Sequence, residues 1–449
     1  MKWVKVGDRY FFLRTEKSQS KFLIQTLPFR VFALPNEVSD EEVKEWVELQ
    51  TMSAELEEKS FEGFYALDVV ITTKCNFRCI YCYALSSKAQ GFYGLKPQDM
   101  DTGIVEESLL LIMEYFEQEI VKSNGKDARF DLFITGGEPL LNYNTMVFLL
   151  EKVEEYIERL STQYSIAIEY SPELATNASL VTDQIARRLK EYNVQVVVTV
   201  DGPMHNERRP FADGRGSLSQ VLEGIERLIR AGNKLKLQAV VPLGDTNYLD
   251  LLFSFYEKHG LLDEIKRVHV IPQAASILDR YYSLPSRLSG FSEQAYDLYA
   301  NELIRLSEKF NLDVKNYQGR LFRSINVGGL AHRCPAGRWK IAVTPSGDLY
   351  PCHQLINIPE FHAGNVRDSN VKQKVEKIAQ IFQSRSVFKV RPCENCIFQT
   401  ICIPFVDCPA RCFLETGDLF EVPQHYCRVH RPYMEKLLED FIIHLAESS

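Results

Sequence analysis

Lys74-Cys75-Asn76-Phe77-Arg78-Cys79-Ile80-Tyr81-Cys82 places three thiols in one loop, spaced Cys-x3-Cys-x2-Cys. Three thiolates can hold three irons of a four-iron cluster and leave the fourth iron open to a small molecule. A structural zinc loop is the other use of such thiols, but it normally takes four ligands and no fourth is local. The run Val69-Val70-Ile71-Thr72 reads as a strand, so the loop opens at the carboxyl end of a strand.

Thr135-Gly136-Gly137-Glu138-Pro139 ends a second strand-like run. Its two glycines let the backbone approach a ligand closely, and its carboxylate can meet a cation; an ordinary tight turn reads the same way in isolation. The eleven cysteines are unevenly spread: after Cys82 none occurs until Cys334, and eight then crowd into Cys334, Cys352, Cys393, Cys396, Cys402, Cys408, Cys412 and Cys427. An odd count without a secretory signal argues for reduced thiols, and clustering is what metal thiolate sites produce. A pair of zinc ribbons would also use Cys393-x2-Cys396.

The elements that must position these residues divide the 449-residue chain. Residues 1–62 read as a small α+β module, with short strands at Tyr10–Leu13 and Phe22–Leu34 and a helix opened by the capping box Ser39-Asp40-Glu41-Glu42. It is either a peptide-binding appendage or a packing extension. Residues 63–290 alternate strand and helix. Strands are expected at Leu67–Thr72, Phe130–Thr135, Ile166–Tyr170, Val194–Val200, Leu235–Val241 and Val268–Ile271. Helices are expected at Ile104–Phe116, Thr145–Leu160, Val181–Tyr192, Leu218–Ala231 and Tyr248–His259. The fold class is therefore α/β, a parallel sheet of six βα units curved into a partial barrel, with chemistry at the carboxyl ends of the strands. A helical linker, 291–332, leads to a cysteine-rich domain, 333–449, closed by an amphipathic docking helix over Pro432–Leu445.

Composition narrows the function classes. Hydrophobic residues at 45% and charged residues at 25% describe a globular protein. The formal charge of −8 gives no case for a nucleic-acid or anionic-membrane partner, and no run is long and apolar enough to span a bilayer, so the cytoplasm is expected.

Together these motifs resemble the radical S-adenosylmethionine (SAM) enzymes over about residues 65–430. The resemblance implies a four-iron cluster on Cys75, Cys79 and Cys82, and SAM contacts from Tyr81, Gly136, Gly137, Glu138, Asn177, Thr199, Asp201 and Gln238. Gly136-Gly137-Glu138-Pro139 matches the segment that takes the methionyl amino group, and Thr199-Val200-Asp201-Gly202-Pro203 the Ser-x-Asp-Gly-Pro ending of the fourth strand. Two departures stand out. Ala178 replaces the glycine of Thr-Asn-Gly, and Gln238 stands where many relatives have an arginine for the SAM carboxylate, with Lys236 a possible substitute. Arg208, Arg209 and Arg215 read first as a solvated basic loop, with contact to a peptide acid as the alternative.

The C-terminal cysteines resemble the SPASM extension of peptide-modifying radical SAM enzymes, which carries two auxiliary four-iron clusters. That implies three [4Fe-4S] clusters in all: one auxiliary set on Cys393, Cys396, Cys402 and Cys427, the other on Cys334, Cys352 and Cys408 with Cys412 as candidate fourth ligand. Sulfatase maturases carry an aspartate base after the cysteine of the Gly-x4-Cys turn; here Gly347 to Cys352 is followed by His353, which resembles the thioether-forming maturases. His353 has three open roles: base, donor to a cluster sulfur, or packed residue. The expected partners are a Cys-containing precursor peptide and an electron donor such as a flavodoxin or ferredoxin. Carbon–carbon crosslinking, oxidation of Cys or Ser to formylglycine, and a non-enzymatic metal-binding adaptor are the alternatives.

Overall fold

The computed structural model describes residues 2–7, 10–14, 21–26, 29–34, 38–51, 63–82, 84, 94–240, 247–261, 305, 332, 334–402, 408–424, 427–428, 431–432, 434–435 and 438. It divides into two compact units: residues 1–60 with 291–334 and 385–449, and residues 61–290 with 335–384.

In the first unit, β1 (Lys2–Gly7), β2 (Tyr10–Arg14), β3 (Lys21–Thr26) and β4 (Phe29–Leu34) form an antiparallel meander in that order. Phe11 pairs with Ile24 and Leu13 with Phe22, so these four side chains share one face. They are buried with Val390, Ile397, Phe398, Ile401, Met434 and Leu438 of the cysteine-rich segment. Tyr10 and Leu23 point the other way and pack on Val43 and Val47 of helix α1 (Asp40–Thr51). Both faces are covered, which is why β3 reads as an unbroken apolar run. The capping box forms as expected: Ser39 N–H donates to Glu42 Oε2 at 2.7 Å, and Glu42 N–H donates to Ser39 Oγ at 3.2 Å.

The second unit is built on β5 (Phe64–Thr72), β6 (Ala128–Gly136), β7 (Ile168–Thr176), β8 (Gln195–Thr199) and β9 (Lys234–Gln238), all parallel and in sequential order. The crossovers hold α2 (Thr102–Lys122), α3 (Tyr143–Tyr164), α4 (Asp183–Glu191), the short α5 (His205–Arg208) and α6 (Leu218–Arg230); α7 (Asn247–Lys258) follows β9. Five of the six expected βα units are thus present; the sixth strand, Val268–Ile271, lies outside the described residues, as does the linker helix apart from Arg305. Of the terminal docking helix, only residues 432, 434, 435 and 438 are described.

Two differences from the sequence expectation have physical causes. β7 runs six residues past Tyr170, because Pro172 sits within the strand opposite Leu132 while its neighbours carry the pairing. Beyond the linker, β10 (Lys340–Val343) pairs parallel to β5 with Ala342 opposite Asp68, and β11 (Leu349–Tyr350) pairs antiparallel to β10. With only two to four residues each, they give too short an alternation to read. The cysteine-rich segment also supplies α8 (Val371–Gln383) and α9 (Pro409–Thr416).

The sheet's two faces differ. Phe130, Leu132 and Ile134 of β6 are fully buried, while the alternate positions Asp131 and Phe133 are half-buried. Through the registers, that second face carries Asp68, Asp131, Glu173, Gln195, Lys236 and Gln238. A polar face opposite a helix-covered apolar one is where a ligand can be held. Among the described residues no helix is long and apolar enough to cross a membrane.

Candidate active site

The cysteine loop leaves the carboxyl end of β5 and is tied down on both sides. Thr72 Oγ donates to Asp99 at 2.6 Å and Lys74 Nζ pairs with the same carboxylate at 2.7 Å. Across the loop, Arg78 N–H donates to Pro210 O at 2.9 Å, Ile80 N–H to Arg208 O at 3.0 Å, and Ala212 N–H to Asn76 O at 2.8 Å. Buried Phe77 packs edge-on against Phe211 at 4.9 Å. Burial, with the Glu138 charge adding to it, pushes the Cys75 thiol up to about 12, and Cys79 and Cys82 contribute in the same direction. Burial also raises Cys79, against the lowering effect of Arg209. Three mutually repelling thiols in one loop deprotonate readily only when a metal supplies the positive charge, so the donor set fits a thiolate-bound cluster. Among the described residues no three His, Cys, Asp or Glu side chains converge on a single metal-ion position; a four-iron cube binds each thiolate at a different corner.

The end of β6 is pressed onto this loop. Gly137 N–H donates to Thr72 O at 2.9 Å and Glu138 N–H to Lys74 O at 2.8 Å. A Cβ on Gly137 would lie 2.0 Å from Lys74 O, and one on Gly136, at φ 153°, 2.3 Å from Thr72 O. Only glycine permits this approach. Glu138 is fully buried, and its carboxylate accepts from Thr176 Oγ (2.6 Å), Asn177 N–H (2.7 Å) and Leu140 N–H (3.1 Å). Burial raises its pKa against the pull of these bonds. The carboxylate therefore clamps the end of β6 to the end of β7 and has one of its four usual acceptor positions left. Asn177 in turn donates to Asn76 at 2.8 Å, joining β7 to the cysteine loop. Ala178 has φ 62°, the left-handed region that explains the glycine expected there.

At β8 and β9, Gln238 donates to Thr199 Oγ at 2.9 Å, and Lys236 is engaged by Glu173 at 2.6 Å. Fully buried Asp201 accepts from Tyr81 OH and from Val240 N–H at 3.0 Å. Arg209 Nη1 donates to Tyr81 OH at 2.9 Å. Arg208 is buried, donates to Val240 O at 2.6 Å, and stacks over Tyr81 and Tyr248 at 5.1 and 5.7 Å. The expectation of a solvated basic loop is thus corrected for Arg208 and Arg209: the ribbon of backbone bonds to residues 76–80 folds them in. Arg215 does project into solvent, paired with Asp213. His205, absent from the sequence reading, accepts from Asp201 N–H at 3.2 Å and is held neutral, its pKa pushed down to about 3 by burial and by Arg209.

His353 lies on the polar face of the sheet. Its Nδ1 is 2.6 Å from Asp68 Oδ2, its ring packs against Phe133 at 5.1 Å, and Lys340 takes the other Asp68 oxygen at 2.8 Å. Burial would raise the Asp68 pKa, but Lys340 and His353 outweigh it and hold the carboxyl well below its ordinary range. Asp68 was not singled out from the sequence, although a carboxylate inside the run Leu67-Asp68-Val69-Val70-Ile71 was the available signal.

No disulfide joins any of the eleven cysteines. In the first unit, Cys393 and Cys412 are buried in the core shared with the N-terminal sheet, with Cys396, Cys402 and Cys427 packed against it. Cys412 therefore packs with the set Cys393, Cys396, Cys402 and Cys427, and its Sγ accepts from buried Arg385 Nη2 at 3.5 Å. Cys408 stands at the N-cap of α9. In the second unit, buried Cys352 follows β11 beside His353.

A sequential parallel sheet with a three-thiol loop at its first strand and a glycine turn pressed on that loop places the chain among the α/β proteins with a cysteine loop at the carboxyl end of the sheet. Residues 69–248 match the model of the Radical SAM superfamily, and the chain carries a radical SAM domain. Over 84% of its length it is 24% identical to the radical SAM cyclopropyl synthase TigE of Paramaledivibacter caminithermalis, covering 75% of that protein. It is 21% identical over 80% of its length to a cysteine-type anaerobic sulfatase-maturating enzyme of Clostridium perfringens, covering 92% of it. Among solved structures, native anSMEcpe with bound AdoMet superposes with a TM-score of 0.60 at 20% identity, over 83% of this chain and 98% of that one. That likeness shows the radical SAM α/β fold.

Proposed function

We propose that this chain is a radical SAM peptide maturase that joins a cysteine sulfur of a ribosomally made precursor peptide to a carbon of the same peptide. The observation that carries the reading is the placement of the Cys75–Cys79–Cys82 loop against Gly136 and Gly137, at the rim of a polar sheet face that also holds His353. When bound, a four-iron cluster on those thiols would supply the electron that cleaves SAM, and so the radical that takes hydrogen from the peptide. Gly136, Gly137, Glu138 and Asn177 shape the methionyl side of the pocket, and Tyr81, Thr199, Asp201 and Gln238 its other wall. His353, oriented through Nδ1 by Asp68, accepts the proton of the substrate thiol. The eight C-terminal thiols would hold two auxiliary clusters, which would supply an acceptor for the second electron, and a flavodoxin or ferredoxin would be the donor of the first.

The N-terminal sheet holds the leader of the precursor. In support, β4 is an edge strand, and a cavity of about 380 Å³ lined by Leu23, Phe32, Leu34, Val38, Glu42 and Val43 opens between β3, β4 and α1. The relatives' names support action on proteins: one is a sulfatase-maturating enzyme, and an anSMEcpe structure contains a bound Kp18Cys peptide.

The test is anaerobic incubation of the reconstituted protein with SAM, a reductant and a cysteine-rich peptide encoded beside it. Loss of two hydrogens per linkage, with one cysteine per linkage no longer alkylatable, is the expected result. An aldehyde trapped by a hydrazide would favour formylglycine formation, the second reading, which the sulfatase-maturating relatives support.

A further inference from the structure

Arg385 is drawn into the interior of the first unit. It is 6% exposed, its Nε donates to Leu419 O at 2.6 Å, and its Nη2 donates to Cys412 Sγ at 3.5 Å. Arg391 of the same unit shows the ordinary alternative: it is exposed and spends its charge on Asp418 and Glu421 at 2.9 and 3.2 Å. Cys412 is fully buried in the core that holds Cys393, with Cys396, Cys402 and Cys427 packed against it. A buried guanidinium is costly unless negative charge meets it, and metal-bound thiolates supply such charge. We infer that Arg385 is the counter-charge of the auxiliary cluster built on Cys393, Cys396, Cys402 and Cys427, and that it raises the potential at which this cluster accepts an electron. The inference rests on the reading above that these thiols hold a four-iron cluster.

Two effects on reduction oppose each other in this core. The walls around the thiols are apolar and dry, with Phe11, Ile24, Ile397 and Ile401 all buried. An electron added to a cluster on four thiolates increases its negative charge, so burial alone drives the potential down. A fixed cation among the same walls is screened little and stabilises the reduced form more than the oxidised one. Two bonds fix the Arg385 fork. Cys412 lies within α9, and the Leu419 carbonyl follows the left-handed turn at Gly417 (φ 79°) that ends this helix. The helix and its cap thus hold the guanidinium inside the thiol core rather than in solvent. For a cluster that is to take the second electron of the reaction, a raised potential is the useful direction.

The test is EPR-monitored potentiometry of the iron-loaded full chain, with iron counted in each sample. Cys427→Ser identifies the wave to follow: the one it loses, together with about four irons, belongs to this cluster. Arg385→Gln is expected to keep about twelve irons and to move that one wave to lower potential, leaving the other two in place. Arg385→Lys, which keeps the charge, is expected to bring the wave back toward its wild-type position. If the glutamine variant does not fold, Arg385→Met repeats the measurement with the length of the side chain preserved. An unmoved wave in the uncharged variant, or an equal shift of all three waves, would overturn the inference. So would a lysine variant that shifts, or loses iron, as the glutamine variant does, since Arg385 would then act by shape alone. Wild type that holds iron for only one cluster would instead remove the reading on which the inference stands, and the inference with it.

Discussion

His353 Nδ1 and Asp68 Oδ2 lie 2.6 Å apart although 285 residues separate them, and Lys340 holds the other oxygen of the same carboxylate at 2.8 Å. Asp68 is buried on the first core strand, whereas its partners Lys340 and His353 both follow the linker. The contact orients the imidazole and welds β10 to β5. Replacing Asp68 by Asn leaves Lys340 without its counter-charge, at a cost of about 3–5 kcal/mol in unfolding free energy measured by denaturant titration.

The same carboxylate sets a pH dependence. Its folded pKa lies below the ordinary value, so the stabilisation is complete above the unfolded pKa of about 4 and is lost as pH falls toward the folded value. The wild-type advantage over Asp68→Asn is therefore expected to shrink as pH falls below about 4. An advantage that kept growing below that pH would contradict the assignment.

Gly137 and Gly125 separate close approach from backbone conformation. Alanine at 137 would put its Cβ 2.0 Å from Lys74 O and 2.9 Å from Cys75 Cβ, so the cysteine loop must move. Gly125 has φ 79° with no atom within 4 Å of the added carbon, so alanine there costs only about 1 kcal/mol of strain. Iron content should fall from about twelve to about eight per chain in Gly137→Ala and stay near twelve in Gly125→Ala.

What could be read from the sequence was what repeats or clusters. Strands β5, β6, β8 and β9 and helices α2 to α7, α5 apart, follow apolar periodicity, and the thiol and glycine motifs announce themselves by residue type. Pro172 masked the second half of β7, and β10 and β11 are too short to carry a pattern. Arg209 was read as solvated, and Asp68 was not singled out, for a different reason. Their roles depend on which distant backbone folds over them, the 76–80 loop in one case and the segment after the linker in the other.

Ala178 shows a local rule broken inside the site. Its φ of 62° costs an L residue roughly 1–2 kcal/mol. Glycine would relieve that at the expense of unfolded-chain entropy, so Ala178→Gly should raise stability by about 0.5 kcal/mol. A drop in melting temperature would mean that the packing of the fully buried Ala178 Cβ outweighs the strain.

The N-terminal sheet and the last cysteines form one core, which makes their stabilities inseparable. Phe11, Leu13, Phe22 and Ile24 are buried among Cys393, Ile397, Phe398, Ile401 and Cys412. Three polar ties reinforce the packing: Lys5 Nζ donates to Glu394 O at 2.8 Å, Gln399 to Thr26 Oγ at 2.8 Å, and Thr400 Oγ to Thr26 O. A cluster on Cys393, Cys396, Cys402 and Cys427 would set the conformation of the segment on which that apolar face rests. Cys427→Ser should therefore remove about four irons and also speed amide hydrogen exchange in β2 and β3, while the amides of β6 and β7 keep their protection. Conversely, Phe11→Ala should cost about 3–5 kcal/mol in this unit and make its auxiliary iron easier to chelate. If iron loss left β2 and β3 fully protected, the sheet would owe its order to α1 and its own pairing, and the cysteine-rich segment would be a passenger on it.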